Sequence, residues 1–246
     1  MLDQPRAADY TIWAVAALLY VCDAARLLSP RDVLLVEAGH RRFTAAFSGA
    51  PYTLAGRVLT FAPLLLPYRG VFVAPWGRAW TDRATLEAML ESLRELSRQL
   101  LVPRLLAAWS FALLFVVGPG LTLALGVNAA VAYTGVVLYL TVLAAIACLW
   151  WRRRDFRLTA GTMALISAEV LVCPAFLPNL VRKITAPTIV DVDAAQMLLA
   201  TAAPDVTDEF LARLEVRMEE LIGAIGPDAP AEAQLRAYLA AVRGAR

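Results

Sequence analysis

An uninterrupted, largely apolar block of 23 residues, Ala129–Trp151, constrains this chain more than any other feature. About 20 apolar residues in a helix are enough to cross the hydrocarbon core of a bilayer. Three arginines, 152–154, follow the run directly. The whole chain of 246 residues is 60% apolar and 18% charged, which excludes an ordinary soluble domain and a disordered or disulfide-rich chain. We therefore predict a membrane protein.

Four apolar blocks are predicted to span the membrane: Tyr10–Leu28, Arg104–Val117, Ala129–Trp151 and Leu158–Val181. The first lacks a basic flank and a cleavage site, which predicts an uncleaved helix within 1–28. The second and third should form a transmembrane hairpin, 104–151, because glycine and proline at 118–120, or the stretch 126–128, can supply the turn. The fourth, within a segment 152–183, either crosses with a kink or enters as a broken helix.

The distribution of basic residues predicts the orientation. Residues 29–104 carry ten arginines against six acids, and 152–157 carry four arginines against one acid, so both should be cytoplasmic. The turn at 118–128 has no charge and should lie outside, together with the N-terminus. If the fourth block crosses, the tail is also outside, although Arg182 and Lys183 argue against this. The excess of arginine over lysine is typical of GC-rich bacterial coding, which predicts a multi-pass protein of a bacterial inner membrane.

The polar region 29–81 is predicted to be a small β module. Four short β-prone runs, separated by glycine and proline, occupy 32–38, 41–47, 57–62 and 70–74. The second and third runs fit a hairpin with a long connection. Four strands of this size bury little core by themselves, so the module should lean on the membrane or on a partner.

An amphipathic helix is predicted over 82–103, with Asp82 as its cap. Leucines recur along one face at three- and four-residue steps, and we define them as the leucine stripe: Leu86, Leu90, Leu93, Leu96 and Leu100. Packing of the stripe on the β module is one interpretation. A seam for a partner helix, or contact with the membrane surface, is the other.

The polar tail, 184–246, is predicted to contain a helical hairpin. Asp208–Ile225 and Ala231–Arg243 both show helical periodicity, and glycine and prolines within 226–230 separate them. A hairpin this small needs a surface to dock against.

Motifs for catalysis and cofactor binding are missing from the sequence. It has one histidine, His40, and neither a glycine-rich phosphate loop, a GxSxG elbow nor an HExxH pair. The cysteines Cys22, Cys148 and Cys173 have no metal-binding or disulfide spacing. We predict no cofactor, no metal, no catalytic residue and no nucleic-acid partner, and we lean towards a protein that is not an enzyme.

Ionisable and helix-breaking residues within the apolar blocks are the best candidates for function or helix pairing: Glu169, Asp23, Arg26, Cys173, Pro174, Pro178, Asn179, Arg182 and Lys183. Glu169 should lie near mid-bilayer, where a charge costs about 2.5–3.5 kcal/mol, so it should be protonated, paired or in contact with water. It could hydrogen-bond to Asn179, Thr122 or Thr141, handle protons or substrate, or meet a partner subunit.

Taken together, these features predict a mainly α membrane protein with about four transmembrane helices, a small cytoplasmic β module and a C-terminal helical hairpin. The first functional hypothesis is a non-enzymatic accessory or scaffold subunit that sits in the lipid bilayer and docks a protein partner or a second copy through its polar modules. The alternative is a small oligomeric transporter or channel-like protein that uses Glu169.

Overall fold

The computed structural model describes residues 7–38, 42–46, 53–54, 57–188, 190–225 and 230–244. His40 and the break predicted at 226–229 lie outside these ranges. The fold is mostly helical with a small sheet module. Two compact units make up the chain: a helical unit (Met1–Arg26, Phe61–Gly70 and Glu95–Pro187) and a mixed unit (Leu27–Thr60, Val71–Arg94 and Thr188–Arg246).

The helical unit contains helix α1, the hairpin helices and a broken segment. A 3-10 turn, Ala7–Tyr10, leads into α1, Thr11–Ala24. The hairpin consists of α3 (Leu101–Ala112), a π turn (Leu113–Val117), α4 (Gly118–Leu125) and α5 (Val127–Trp151). The broken segment consists of α6 (Ala160–Val172), a 3-10 stretch (Pro174–Asn179) and α7 (Leu180–Thr185).

The turn of the hairpin lies at Gly126, the second of the two predicted positions. Gly126 has a φ of 83°, a left-handed conformation that glycine adopts without strain. The other predicted position, 118–120, does not form the turn, because Pro119 lies in the first turn of α4, where its missing N–H costs little. Gly118 is needed there for another reason: a Cβ at this position would overlap the Trp13 ring.

Two helices of the described chain have the length and composition to cross a membrane. They are Leu101–Leu125 and Val127–Trp151, each 25 residues long. Only 33% and 28% of their most apolar stretches are buried in the protein, whereas the core helix of a soluble protein is mostly buried. Of the four predicted spans, the two blocks of the hairpin therefore form helices long enough to cross a membrane.

The other two predicted blocks form shorter helices. Helix α1 has 14 residues and ends at Ala24, because the Ala24 carbonyl accepts a hydrogen bond from the Ala62 N–H and the chain continues as a strand. The predicted helix through Leu28 is therefore wrong at its end. Helix α6 has 13 residues and ends before Pro174, which cannot continue the helical hydrogen bonding. The fourth block is thus interrupted at Cys173–Pro174, and whether it crosses stays a prediction.

The strands form two three-stranded sheets: β1 (Ala25–Leu28), β2 (Asp32–Glu37), β3 (Phe43–Ala46), β4 (Thr53–Leu54), β5 (Arg57–Phe61) and β6 (Val71–Pro75). One sheet has the order β3-β2-β6 and the other β1-β5-β4. The predicted hairpin of β3 with β5 is wrong, because β3 pairs antiparallel with β2, placing Thr44 opposite Val36. The connection from β2 to β3 is shorter than that from β3 to β5, and shorter loops close at lower entropic cost.

Four helices complete the fold: α2 (Arg83–Gln99), α8 (Ala194–Thr201), α9 (Pro204–Ile225) and α10 (Pro230–Gly244). Helices α9 and α10 correspond to the predicted tail helices, and they pack against each other. In the mixed unit, α8 and α9 also contact β3. The tail therefore docks on the sheet module.

Candidate functional site

Five of the nine candidate residues come together in the helical unit. Asp23 lies near the end of α1, Glu169 near the end of α6, Asn179 at the end of the 3-10 stretch, and Arg182 and Lys183 on α7. We call these five residues the polar cluster. Three are almost fully buried, with Asn179 1%, Arg182 2% and Lys183 7% exposed.

Lys183 lies at the centre of the polar cluster, between two carboxylates. Its Nζ is 2.6 Å from Asp23 Oδ1 and 2.5 Å from Glu169 Oε2. The Asp23 side chain is 11% exposed and the Glu169 side chain is 37% exposed, so the pair with Asp23 is the more shielded one. The ammonium group fills the position between the carboxylates that a bound cation would require.

Helix dipoles explain why this lysine is needed. Asp23 and Glu169 both lie in the last turn of their helices, where the partial charge of the helix end is already negative. A carboxylate at such an end is destabilised unless a cation is close by. Lys183 compensates two carboxylates and two helix ends at once.

Asn179 and Arg182 extend the polar cluster towards α1. The Asn179 amide donates to Asp23 Oδ2 at 2.9 Å and to the Tyr20 carbonyl at 3.1 Å. Its own oxygen accepts from Arg182 Nη1 at 2.5 Å. The Arg182 guanidinium lies 5.8 Å from the centre of the Tyr20 ring. These contacts join α1, the 3-10 stretch and α7.

The loop 61–70 completes the site, and sequence reasoning missed it. The Pro63 carbonyl accepts from Arg182 Nη2, and the Leu64 carbonyl accepts from the Tyr20 hydroxyl. Non-helical backbone survives in an apolar medium only when such groups find partners. An available signal was the composition of 61–70, FAPLLLPYRG, which is more apolar than an ordinary connection between strands.

The remaining candidates do not join the polar cluster through side-chain contacts. Arg26 lies on β1, so it does not share a helix face with Asp23 as predicted. Cys173 follows the end of α6, Pro174 begins the 3-10 stretch, and Pro178 lies inside it. These three residues shape the break in the fourth block.

The hydrogen-bond partners expected for Glu169 are otherwise engaged. Thr122 accepts from Trp13 Nε1 at 2.9 Å, and Thr141 donates to the carbonyl of Val137 at 2.8 Å. Asn179 contacts Asp23. Glu169 pairs with Lys183 instead. Lys183 was a predicted site residue, but it was not predicted to be the partner of Glu169.

The leucine stripe of α2 is buried within this chain. The exposed fractions of its five leucines lie between 0% and 8%: Leu86, Leu90, Leu93, Leu96 and Leu100. Such burial is expected of a helix that packs on its own protein. The use of this stripe as a partner seam stays a prediction.

A second buried polar centre lies in the mixed unit and was not predicted. Asp193 is fully buried and caps α8 by accepting from the N–H groups of Ala195 and Gln196. It also accepts from the Tyr238 hydroxyl at 2.9 Å and from the Arg78 N–H at 3.1 Å. Burial raises the pKa of Asp193 above its ordinary value, although these hydrogen bonds oppose the increase. The pKa of Tyr238 is also raised, mainly by burial.

Beside this centre, the mixed unit has an open groove of about 840 Å³ between α2 and α8. Its lining includes Trp80, Arg83, Leu90 and Gln196. Trp80 is 38% exposed, and the Arg83 side chain is 90% exposed. Gln196 is fixed by hydrogen bonds to the backbone and hydroxyl of Thr81, which gives the groove a defined wall.

The polar cluster is an internally paired network. Lys183 pairs with both carboxylates, Arg182 binds the Asn179 side chain and the Pro63 carbonyl, and in the described ranges no group of three metal-ligating side chains comes together. Comparisons with family models, curated proteins and solved structures found no match to this chain.

Proposed function

We propose that this chain is a multi-pass protein of a bacterial inner membrane that acts as a non-enzymatic accessory or scaffold subunit. The helical unit anchors it in the lipid, and the mixed unit docks a protein partner. The observation that carries the proposal is the internal pairing of the polar cluster. Lys183 occupies the position between the two carboxylates that a bound metal cation would take, so the cluster already has an internal partner for each carboxylate.

The surface of the helical unit supports a membrane location. Large apolar side chains along the hairpin are exposed, including Val116, Leu123, Tyr133, Val136, Leu140 and Leu143, each at least 55% exposed. Contiguous apolar surface of this kind marks contact with lipid or with another protein. The 3-10 turn and α1 together reach about 29 Å, close to the roughly 30 Å of the hydrocarbon core. We include α1 as a third crossing.

Packing within the mixed unit fixes the side of the tail in this proposal. Residues 71–94 and the tail belong to one compact unit, and Tyr238 of α10 lies against Trp76 with ring centres 6.3 Å apart. A folded unit lies on one side of a bilayer. The segment 95–187 must then cross an even number of times, and the hairpin supplies two crossings.

The broken segment is therefore re-entrant rather than spanning. At the usual rise per residue, helix α6 is about 20 Å long and the 3-10 stretch with α7 about 21 Å, so in this proposal the first limb can enter the membrane and the second can return. The arginine distribution then favours the cytoplasm for 29–104 and 152–157. In this proposal the tail lies on the same side because it shares a compact unit with 71–94, although residues 184–246 carry ten acids against five arginines. Arg182 and Lys183 are paired inside the protein and no longer conflict with this orientation.

The groove of the mixed unit supports docking of a protein partner there. Tryptophan and arginine are enriched at the centres of protein interfaces, and Trp80 and Arg83 offer both on one wall. Arg83 is exposed and pairs with Glu87 at 2.8 Å, so its removal should not disturb the core.

Affinity purification from the native membrane in mild detergent tests this proposal. We expect a defined partner, or a second copy of the chain, to co-purify with the wild type. A Trp80→Ala/Arg83→Ala double variant should lose it at least severalfold, since central interface anchors contribute about 2 kcal/mol or more each. The matched control Arg213→Ala removes an exposed, ion-paired arginine of α9 and should retain the partner. A monomer without partners in native membranes would contradict the proposal.

One observation favours the alternative of a small oligomeric transporter. The Glu169 side chain remains 37% exposed, so a proton or a cation could reach it. In that case Glu169→Gln would leave the protein folded and abolish ion flux in vesicles. In the scaffold proposal the same variant, which keeps a hydrogen-bond acceptor for Lys183, retains both the fold and the partner.

A further inference from the structure

The turn that joins α5 to α6 has features that the scaffold proposal does not use. We call residues 152–157, with the sequence RRRDFR, the arginine turn. Phe156 is 1% exposed and anchors it, while the Asp155 and Phe156 N–H groups both donate to the Arg152 carbonyl. Trp150 Nε1 donates to Ser167 Oγ at 3.2 Å and ties α5 to α6 beside it. The turn is therefore a built structure rather than an extended linker.

Charge within the arginine turn is divided between paired and unpaired residues. Arg152 pairs with Asp155 at 3.1 Å and donates to the carbonyl of Gln99, which neutralises the one acid of the turn. Arg153 and Arg154 are exposed, and neither guanidinium group has a hydrogen-bond or ion-pair partner among the residues that the structure describes, although the Arg154 carbonyl accepts from the Arg157 N–H. Two adjacent positive charges remain available to a ligand.

The apolar neighbour of these charges indicates the kind of ligand. Trp151 is 91% exposed at the end of the membrane-spanning helix α5, directly before the arginines. Tryptophan prefers the interface between headgroups and acyl chains. Arginine binds phosphate through two parallel hydrogen bonds. An aromatic ring at the interface beside two guanidinium groups matches an amphipathic phosphate ester.

We propose that the arginine turn binds the headgroup of an anionic phospholipid of the cytoplasmic leaflet. The proposal rests on the membrane location given under the proposed function. Each basic residue near an anionic surface gains about 1 kcal/mol, which corresponds to about a fivefold change in affinity. Phosphatidylglycerol should therefore be retained in preference to phosphatidylcholine.

The test uses the full chain, reconstituted in vesicles of equal parts phosphatidylcholine and phosphatidylglycerol. After extraction in mild detergent, native mass spectrometry counts the retained lipids. We expect phosphatidylglycerol to be enriched at least fivefold on the wild type and on the control Arg213→Gln/Arg217→Gln, which removes two arginines of α9. Arg153→Gln/Arg154→Gln should reduce the enrichment at least fivefold without changing the melting temperature.

Three outcomes would overturn the lipid assignment. One is equal enrichment on the double variant, another is no enrichment on the wild type, and the third is displacement of the lipid by inorganic phosphate, which would indicate a site for soluble anions. A separate flotation experiment measures whether the protein associates with the vesicles. A chain that does not float with them overturns the membrane proposal and the lipid site together.

Discussion

Lys183 is the only lysine of the sequence, against 22 arginines, and it occupies the centre of the polar cluster. The cationic groups of lysine and arginine differ in shape. An ammonium group is compact and can approach two carboxylates that lie close together, whereas a guanidinium group is a wide planar fork. The one lysine in an arginine-rich sequence thus lies where a compact cation is needed between two carboxylates.

Replacement of Lys183 should therefore be costly. Lys183→Met leaves two carboxylates beside two negative helix ends, and we expect a loss of about 3–5 kcal/mol in the free energy of unfolding, as for broken buried ion pairs. Lys183→Arg keeps the charge but should still destabilise by about 1–3 kcal/mol through overpacking. Thermal unfolding in detergent measures both.

A triple variant serves as the control for charge. Adding Asp23→Asn and Glu169→Gln to Lys183→Met removes all three charges, so it should recover part of the lost stability. If Lys183→Met and Lys183→Arg both unfold at the wild-type temperature, the polar cluster does not hold the helical unit together.

Asp193 should make the stability of the protein depend on pH. Its pKa in the folded chain is raised, mainly by burial, above the value of about 3.9 expected for the unfolded chain. Between these two values the folded state holds a proton that the unfolded state has released. The contribution of Asp193 is thus fully present below about pH 3.9 and is lost as the pH rises through the folded value.

Asp193→Asn isolates this effect, because the amide does not titrate. We expect the wild type to be the more stable at every pH, since Asn cannot accept from both the Arg78 N–H and the Tyr238 hydroxyl without turning an N–H towards one of them. The difference in unfolding midpoint should shrink as the pH rises from 4 to 7. A difference that grows with pH would show that burial does not govern Asp193.

Among the elements, α2 allows a test of the leucine stripe. Leu93 is 1% exposed, so Leu93→Glu buries an unpaired carboxylate and should lower the stability of the isolated protein by roughly 3 kcal/mol or more. The control Arg213→Glu changes an arginine of α9 whose side chain is 56% exposed, and it should cost under about 0.5 kcal/mol. A Leu93→Glu protein that is stable alone but loses its partner would instead establish the stripe as a docking seam.

Local elements were predictable because their signals are local. The strand β2 and the helices α9 and α10 follow from turn residues and helical periodicity close to the positions found. Pairings between distant segments were not predictable in this way. Asp23 and Lys183 are 160 residues apart, and no periodicity relates them. The same reason explains why the role of Asp193, which binds the N–H of Arg78, 115 residues away, was missed. The pairing of β3 was missed although β2 and β3 are neighbours in the sequence.

Irregular elements were the hardest to foresee in the helical unit. Loop 61–70 and the strand after Ala24 depend on hydrogen bonds that only the assembled unit supplies, such as that from the Tyr20 hydroxyl to the Leu64 carbonyl. The composition of a segment shows that it is apolar. It does not show which side chains will satisfy its backbone.

At the scale of the whole molecule, the proposed threading has one decisive test. A reporter that is active only in the cytoplasm should be active when fused after Arg78, after Arg154 and after Arg246, and silent when inserted within 118–128. Activity at the C-terminus is required because the tail and residues 71–94 belong to one unit. A reporter that is active after Arg78 but silent after Arg246 would show that the fourth block crosses the membrane. Residues 71–94 and the tail would then lie on opposite sides of the bilayer and could not form the mixed unit.

The assembly of the mixed unit from both ends of the chain has a consequence for synthesis. The sheet residues leave the ribosome early, but the ring that lies against Trp76 belongs to Tyr238 of α10, which is made much later. Until α10 has been synthesised, the apolar surface around Trp76 stays uncovered. A product truncated before α10 would keep that surface exposed to chaperones and proteases. The fold thereby distinguishes a chain that includes α10 from one that stops before it.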